Sequence, residues 1–128
     1  MRLLLDTHAL LWWLAGDAAL SEQARRAIAD EANPVFVSAA SAWQISTKHR
    51  IGRLPGVAGI SGNLESTIAD QGFIELPISV RHAEVAGGLP GPHRDPFDQM
   101  LITRAMAESI ALVSNERLFD SFAVRRLW

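Results

Sequence analysis

Two acidic residues in this 128-residue sequence follow short apolar runs. Asp6 comes directly after Leu3–Leu5, and Glu116 comes three residues after the apolar stretch 110–113. Continuous apolar runs of this length are typical of strands in a parallel sheet that is covered on both faces. A carboxylate directly after such a strand must face a cleft or a partner, because burying an unpaired charge costs much free energy. We therefore expect Asp6 at the carboxyl edge of a sheet.

Two further acids, Asp95 and Asp98, begin the predicted helix that precedes the strand over residues 110–113. A helix that runs antiparallel to parallel strands begins near their carboxyl ends. Ligands of open parallel sheets bind at that edge. The sequence therefore predicts that Asp6, Asp95, Asp98 and Glu116 share one cleft.

Four carboxylates in one cleft repel each other, by about 4 kcal/mol for two unit charges 4 Å apart at an effective dielectric near 20. Either some of them stay protonated or a cation neutralises them. The chain has no cysteine, and a set of oxygen ligands favours Mg²⁺ or Mn²⁺ over zinc. Such an ion can activate water and bind a phosphate.

Structural explanations exist for some of these acids. Asp95 followed by Pro96 is a good N-cap with proline at the first helical position, and Asp98 then suits the positive end of the helix dipole. Asp98 also falls on the predicted core-facing stripe. Glu116 could open a short helix. Asp6 is the acid least open to a purely structural explanation.

Three other side chains are candidates for substrate binding. Lys48, the single lysine of the chain, begins the basic stretch 48–53 at a predicted helix end, where the helix dipole explains it as well as RNA contact does. Arg94 stands beside the predicted site and could bind a phosphate or a surface acid. Ser114 follows the strand over residues 110–113.

Composition indicates one globular domain over residues 1–128, with 48% hydrophobic and 20% charged residues. The net charge of −2 argues against binding of nucleic acid through bulk positive charge. Strand patterns at 3–5, 35–37, 73–76, 110–113 and an edge strand near Val124 alternate with helical patterns, so we expect an α/β fold with a mainly parallel sheet. No apolar run approaches the ~18 residues of a membrane span, and we expect a cytoplasmic protein. Four aromatic residues are expected in the core or a subunit interface: Trp12, Trp13, Trp43 and Phe97.

Four segments in order, LLLDTHALLWWL, SAASAWQIS-KHRIGRLP, HRDPFDQMLI and LVSNERLF, resemble those of PIN-domain ribonucleases. The resemblance is to the VapC-type toxins of bacterial toxin–antitoxin pairs. It implies a three-layer α/β/α sandwich with a parallel sheet of about five strands in the order 3-2-1-4-5. It also implies a divalent-metal endoribonuclease that cleaves RNA. As partners it implies a cognate antitoxin that blocks the cleft, and a homodimer, or a heterotetramer or larger assembly with the antitoxin.

Residue by residue, Asp6 matches the first acid of the family and Asp98 the acid at the helix start. Asp95 matches the extra acid of the DPFD motif, so the resemblance implies Asp6, Asp98 and Asp95 as ligands of Mg²⁺ or Mn²⁺. Glu116 falls where an aspartate is more usual, and we expect it to position the metal or the attacking water.

Gln44 departs from the family pattern, which has glutamate in a Trp-Glu-Ile motif. Glutamine keeps the shape of the side chain and loses its charge, so we expect weaker metal binding and weaker catalysis. The alternative function is a catalytically silent PIN-like module that binds RNA or a protein. Phosphoryl transfer onto Asp6 fits less well, because the second acid that such phosphatases usually need two residues later is His8 here.

Overall fold

The sheet has five strands, all paired in parallel, in the order β3-β2-β1-β4-β5. The structure is a computed structural model that describes residues 1–52, 62–91 and 95–128. Its strands are β1 (Leu3–Leu5), β2 (Val35–Ser38), β3 (Ile74–Leu76), β4 (Ala111–Val113) and β5 (Arg126–Leu127). The predicted strand order 3-2-1-4-5 is confirmed.

Helices connect the strands. They are α1 (Thr7–Ala15), α2 (Glu22–Ala29), α3 (Ala39–Arg50), α4 (Leu64–Asp70), α5 (Val80–Gly87), α6 (Pro96–Glu108) and a 3₁₀ helix (Arg117–Ser121). None of the helices within the described ranges is long and apolar enough to cross a membrane.

The two faces of β1 belong to two separate cores. Leu3 and Leu5 pack with residues of α1, α2 and α4, whereas Leu4 packs with residues of α6. Successive side chains of a strand point to opposite faces, so the three leucines fill both layers at once. The predicted three-layer α/β/α arrangement is confirmed, and it explains why β1 is apolar without alternation.

The central position of Leu4 leads to a stability prediction. Leu4 has 0% exposure, so we expect Leu4→Ala to lower the free energy of unfolding by about 2–5 kcal/mol, through lost burial and a residual cavity. Val80 is 88% exposed, and Val80→Ala is the matched control, with an expected change within about 0.5 kcal/mol. Urea denaturation measures both. A change below about 1 kcal/mol for Leu4→Ala would contradict the packing described.

Several sequence predictions about element ends need correction. The edge strand is Arg126–Leu127 and not at Val124. From its residue type Thr7 is predicted to cap the first helix, but the cap of α1 is Asp6. The sequence predicts a second helix from Ser21 to about Ala32, ended by Asn33-Pro34. The helix α2 stops earlier, at Ala29, because the Asp30 carboxylate accepts a hydrogen bond from the Ala32 N–H and closes a turn. The stretch 54–62 is rich in glycine and proline, which predicts a loop. Except for Gly62 it lies outside the described residues.

Candidate functional site

Asp6 lies where β1 ends and α1 begins. Its carboxylate accepts a hydrogen bond from the Ala9 N–H at 2.7 Å, which caps the helix. A second hydrogen bond comes from Ser114, which follows β4 and is fully buried. Ser114, predicted as a substrate contact, therefore contacts Asp6. Asp6 is only 7% exposed, so the fold holds its carboxylate in one orientation at the carboxyl edge of the sheet.

Burial raises the pKa of the Asp6 carboxyl above its ordinary value of 3.8. Hydrogen bonds from Ser114 and from the Ala9 N–H, and the charge of His8, act in the opposite direction, and the negative charge of Asp98 adds to the increase. Burial is the largest of these effects. The fold thus disfavours the ionised form of Asp6 unless a positive charge compensates it.

This raised pKa predicts how stability changes with pH. A group whose pKa is higher in the folded state stabilises the protein fully below its unfolded pKa, and this contribution is lost as pH rises through the folded pKa. We expect Asp6→Asn, which can still cap α1, to unfold at a higher temperature than the wild type at neutral pH. The difference should shrink as pH falls toward about 4, close to the unfolded value of 3.8. Thermal denaturation over a pH series measures this, and a difference independent of pH would contradict it.

Asp95 and Asp98 open α6. One Asp95 carboxylate oxygen accepts hydrogen bonds from the Phe97 N–H at 2.9 Å and the Asp98 N–H at 3.3 Å. Asp95 therefore does act as the N-cap, with Pro96 at the first helical position. Asp98 lies in the first turn, and its charge acts on Asp6.

Glu116 opens the 3₁₀ helix. Its carboxylate accepts a hydrogen bond from the Leu118 N–H at 3.0 Å, and its own N–H donates to the Ser114 hydroxyl at 3.0 Å. Ser114 thus contacts both Asp6 and the backbone of Glu116. The structural explanation of Glu116, as the start of a short helix, applies alongside any chemical role.

The predicted acids line one cleft of about 290 Å³. Asp6, Asp95, Asp98 and Glu116 all contribute, together with Gln44 and Lys48 from α3. Five lining residues were not predicted from the sequence as site residues: Thr7, His8, Trp12, Asn115 and Phe119. Those next to a predicted acid along the chain (Thr7, His8 and Asn115) could have been inferred from adjacency alone.

Gln44 is held by Thr7. The Thr7 hydroxyl donates to the side-chain carbonyl oxygen of Gln44 at 2.5 Å, and the same hydroxyl oxygen lies 3.1 Å from the Ser41 hydroxyl. All three side chains are buried. The contact joins α1 to α3 across the base of the cleft, so the Gln44 amide has a defined orientation.

The donor chemistry of the cleft fits a hard divalent cation, because four acidic residues line it and burial disfavours the ionised form of one of them, Asp6. In the described part of the chain, no three acidic or histidine side chains come close enough together to form a ready-made metal site. Mg²⁺ does not require one, since it usually keeps several waters and binds one or two carboxylates plus substrate phosphates. Two carboxylates would suffice for such a site, and Asp6 and Asp98 are the candidates.

The remaining predicted residues differ in position. Lys48 lies in the last turn of α3 and lines the cleft, whereas Arg94 lies outside the described residues. Trp43 is 64% exposed and contacts Phe97 with ring centroids 5.0 Å apart. The expectation of core packing is therefore wrong for Trp43, and a subunit interface stays a prediction.

A family model described as PIN domain matches residues 3–124 of the chain. No curated protein matches the chain. Among solved structures, the chain is similar to VapBC2 from Rickettsia felis bound to a DNA fragment from their promoter, with a TM-score of 0.70, 14% identity and 100% of both chains covered.

It is also similar to FitAcB from Neisseria gonorrhoeae, with a TM-score of 0.58, 17% identity and 96% of both chains covered. A third structure, FitAB bound to an IR36 DNA fragment, gives a TM-score of 0.58 at 16% identity and covers 97% of this chain and 94% of that one. At these identities the likeness concerns the fold.

Proposed function

We propose that this chain, which belongs to the PIN-domain family, is a divalent-metal endoribonuclease of the VapC toxin type. One observation supports this above all others. Asp6, Asp95, Asp98 and Glu116 come from three separate parts of the sequence and line the same cleft at the carboxyl edge of the sheet. Packing does not require such a concentration of negative charge, whereas a phosphodiester-cleaving site that uses a cation does.

In this proposal Asp6 and Asp98 hold Mg²⁺ or Mn²⁺, and Asp95 completes the set. The bound cation polarises a phosphate and promotes the ionisation of water. Ser114 and the Ala9 N–H keep the Asp6 carboxylate in place, which preorganises the site before RNA arrives. Glu116 helps to position the cation or the attacking water, and Lys48 offsets the charge of the RNA backbone.

The experiment is an incubation of the protein with end-labelled single-stranded RNA and Mn²⁺. We expect cleavage that EDTA abolishes and that Asp98→Asn removes. Persistence of cleavage in EDTA, or in the Asp98→Asn variant, would contradict the proposal.

A second candidate function is a PIN-like module that binds RNA without cutting it. One observation favours it: Gln44 stands where the family pattern has glutamate. The Gln44→Glu variant separates the two functions. If the wild type binds RNA and only this variant cuts, the chain is a silenced nuclease; if neither cuts while both bind, it is a binding module.

For partners we propose a cognate antitoxin that blocks the cleft, and self-association into a homodimer, or into a heterotetramer or larger assembly with the antitoxin. The similar fold of VapBC2 from Rickettsia felis supports the antitoxin. The exposed Trp43, with the half-buried Phe97 beside it, suits a subunit interface, because aromatic residues are enriched there. Light scattering should give twice the chain mass of 14.0 kDa, and Trp43→Ser should return the monomer.

A further inference from the structure

The orientation of the Gln44 amide follows from one distance. The Thr7 hydroxyl oxygen lies 2.5 Å from the nearer atom of the amide. Bonds of the type O–H···O span about 2.5–3.0 Å, whereas N–H···O bonds span about 2.7–3.2 Å. The structure has the carbonyl oxygen of Gln44 at this position, where it accepts the Thr7 proton, and the short distance fits an O–H···O bond.

The hydrogen bonds around Thr7 are compatible with this orientation. A threonine hydroxyl has one proton to donate, and Thr7 gives it to Gln44. Ser41, whose hydroxyl lies 3.1 Å from that of Thr7, then donates to Thr7. The carbonyl oxygen of Gln44 thus already accepts a hydrogen bond from a buried hydroxyl.

The amide nitrogen of Gln44 is left on the cleft side. Gln44 lines the cleft, and over the described ranges Thr103 Oγ1 is the sole buried side-chain polar atom that lacks a hydrogen-bond partner. The nitrogen is therefore not buried without a partner but borders the cleft. An amide NH₂ group carries two donors and no acceptor, so it cannot bind a cation.

Lys48 stands one helical turn after Gln44 and lines the same cleft. Residues four apart lie on one face of a helix, with Cβ atoms about 5–6 Å apart. The ammonium group of lysine has three donors and no acceptor. The α3 wall of the cleft therefore presents hydrogen-bond donors, whereas Asp6, Asp95 and Asp98 on α1 and α6 present acceptors.

We propose that Gln44 and Lys48 form a donor pair that binds a phosphodiester oxyanion of single-stranded RNA, so that Gln44 binds the substrate and is not a cation ligand. A phosphodiester oxyanion accepts hydrogen bonds and donates none, which matches the α3 wall. The pair holds the RNA backbone beside the acids, which by themselves repel it. The inference rests on the proposed function in that RNA occupies this cleft.

The test is RNA affinity without metal. We use the Asp98→Asn background, which lowers the repulsion and prevents cutting, and measure binding of a labelled single-stranded RNA by fluorescence anisotropy in EDTA at low salt. Gln44→Met keeps the size of the side chain and removes the donor; we expect about 10- to 150-fold weaker binding, as for loss of a hydrogen bond to a charged group. Gln23 lies exposed on α2 outside the cleft, and Gln23→Met should bind like the background.

Lys48→Met is the second variant and keeps the test valid if Gln44→Met fails to fold. We expect weaker binding and a salt dependence reduced by about one phosphate contact, whereas Gln44→Met should leave the salt dependence unchanged. If both side chains hold the same phosphate, the double variant should lose less affinity than the product of the two single losses. Equal RNA affinity of Gln44→Met and the background, or no measurable binding by the background, would overturn the inference.

A measurement of Mn²⁺ affinity distinguishes this inference from the alternative that Gln44 is a metal ligand. In the otherwise wild-type chain, Gln44→Met should leave Mn²⁺ affinity within about twofold, because an amide nitrogen is not a ligand. A large loss of Mn²⁺ affinity with unchanged RNA binding would contradict the inference. Should the wild type cleave RNA while Gln44→Met binds it normally, the inference fails and the proposed function stands. Should the wild type fail to cleave RNA while Gln44→Met weakens RNA binding, the proposed nuclease function fails and the inference about Gln44 stands.

Discussion

Asp6→Asn is expected to lower metal-dependent RNA cleavage by about 10³-fold or more, the upper end of what a single preorganised electrostatic group contributes. Asp6 is the most buried of the four acids, and its carboxylate is held by Ser114 and the Ala9 N–H. Asparagine keeps the cap of α1 and the shape of the side chain while it removes the charge that binds a cation. The rate of cleavage of a labelled RNA at saturating Mn²⁺ measures this loss.

The matched control is Asp70→Asn, the same chemical change at the exposed end of α4, outside the cleft. It should cleave like the wild type. Because Asp6→Asn is also expected to be more stable at neutral pH, unfolding cannot explain its loss of activity. Activity of Asp6→Asn within about tenfold of the wild type would exclude Asp6 from the catalytic site.

Gln44→Glu is expected to lower the Mn²⁺ concentration needed for half-maximal cleavage by about 10-fold or more, since ligand charge is a main determinant of affinity for hard cations. The new carboxylate stands in the same cleft as Asp6 and Asp98. The Thr7 hydroxyl, which now donates to the Gln44 carbonyl, can donate to a glutamate oxygen as well. Measuring the initial cleavage rate against Mn²⁺ concentration gives the half-maximal concentration for the wild type and for Gln44→Glu.

The same substitution should weaken RNA binding in EDTA, because it replaces the NH₂ donor by an acceptor and adds a negative charge. Opposite signs for metal and RNA affinity distinguish a loss of the donor from a general disturbance of the cleft. Gln23→Glu adds the same charge on α2, outside the cleft, and should change neither affinity. An unchanged Mn²⁺ requirement for Gln44→Glu would show that position 44 lies too far from the cation to matter.

Much of the fold could be predicted because its central strands are short and apolar throughout. The run Leu3–Leu5, covered on both faces, has few alternatives to a central parallel strand. The strand order was predicted from the family resemblance, since local sequence patterns do not determine which strands pair. The position of β5 could not be predicted from Val124. An edge strand of two residues is defined by its pairing with β4, and it is too short to show a hydrophobic periodicity in the sequence.

The acids of the cleft could be predicted from the sequence because each lies at the end or the start of a helix or strand. The hydrogen bonds of these acids could not be predicted from the sequence. That Ser114 contacts Asp6 depends on β4 pairing with β1, and the direction of the Gln44 amide depends on Thr7, which is 37 residues away along the chain. The exposure of Trp43 likewise depends on how α3 packs, which a short helical pattern does not determine.

The most direct measurement is calorimetric titration of the metal-free protein with Mn²⁺. If the acids of the cleft together hold a divalent cation, the wild type and Asp70→Asn will bind Mn²⁺ with the same affinity, Mg²⁺ will compete, and Asp6→Asn and Asp98→Asn will each lose most of the binding. Equal Mn²⁺ binding by all four proteins, or by none of them at millimolar metal, would contradict the account.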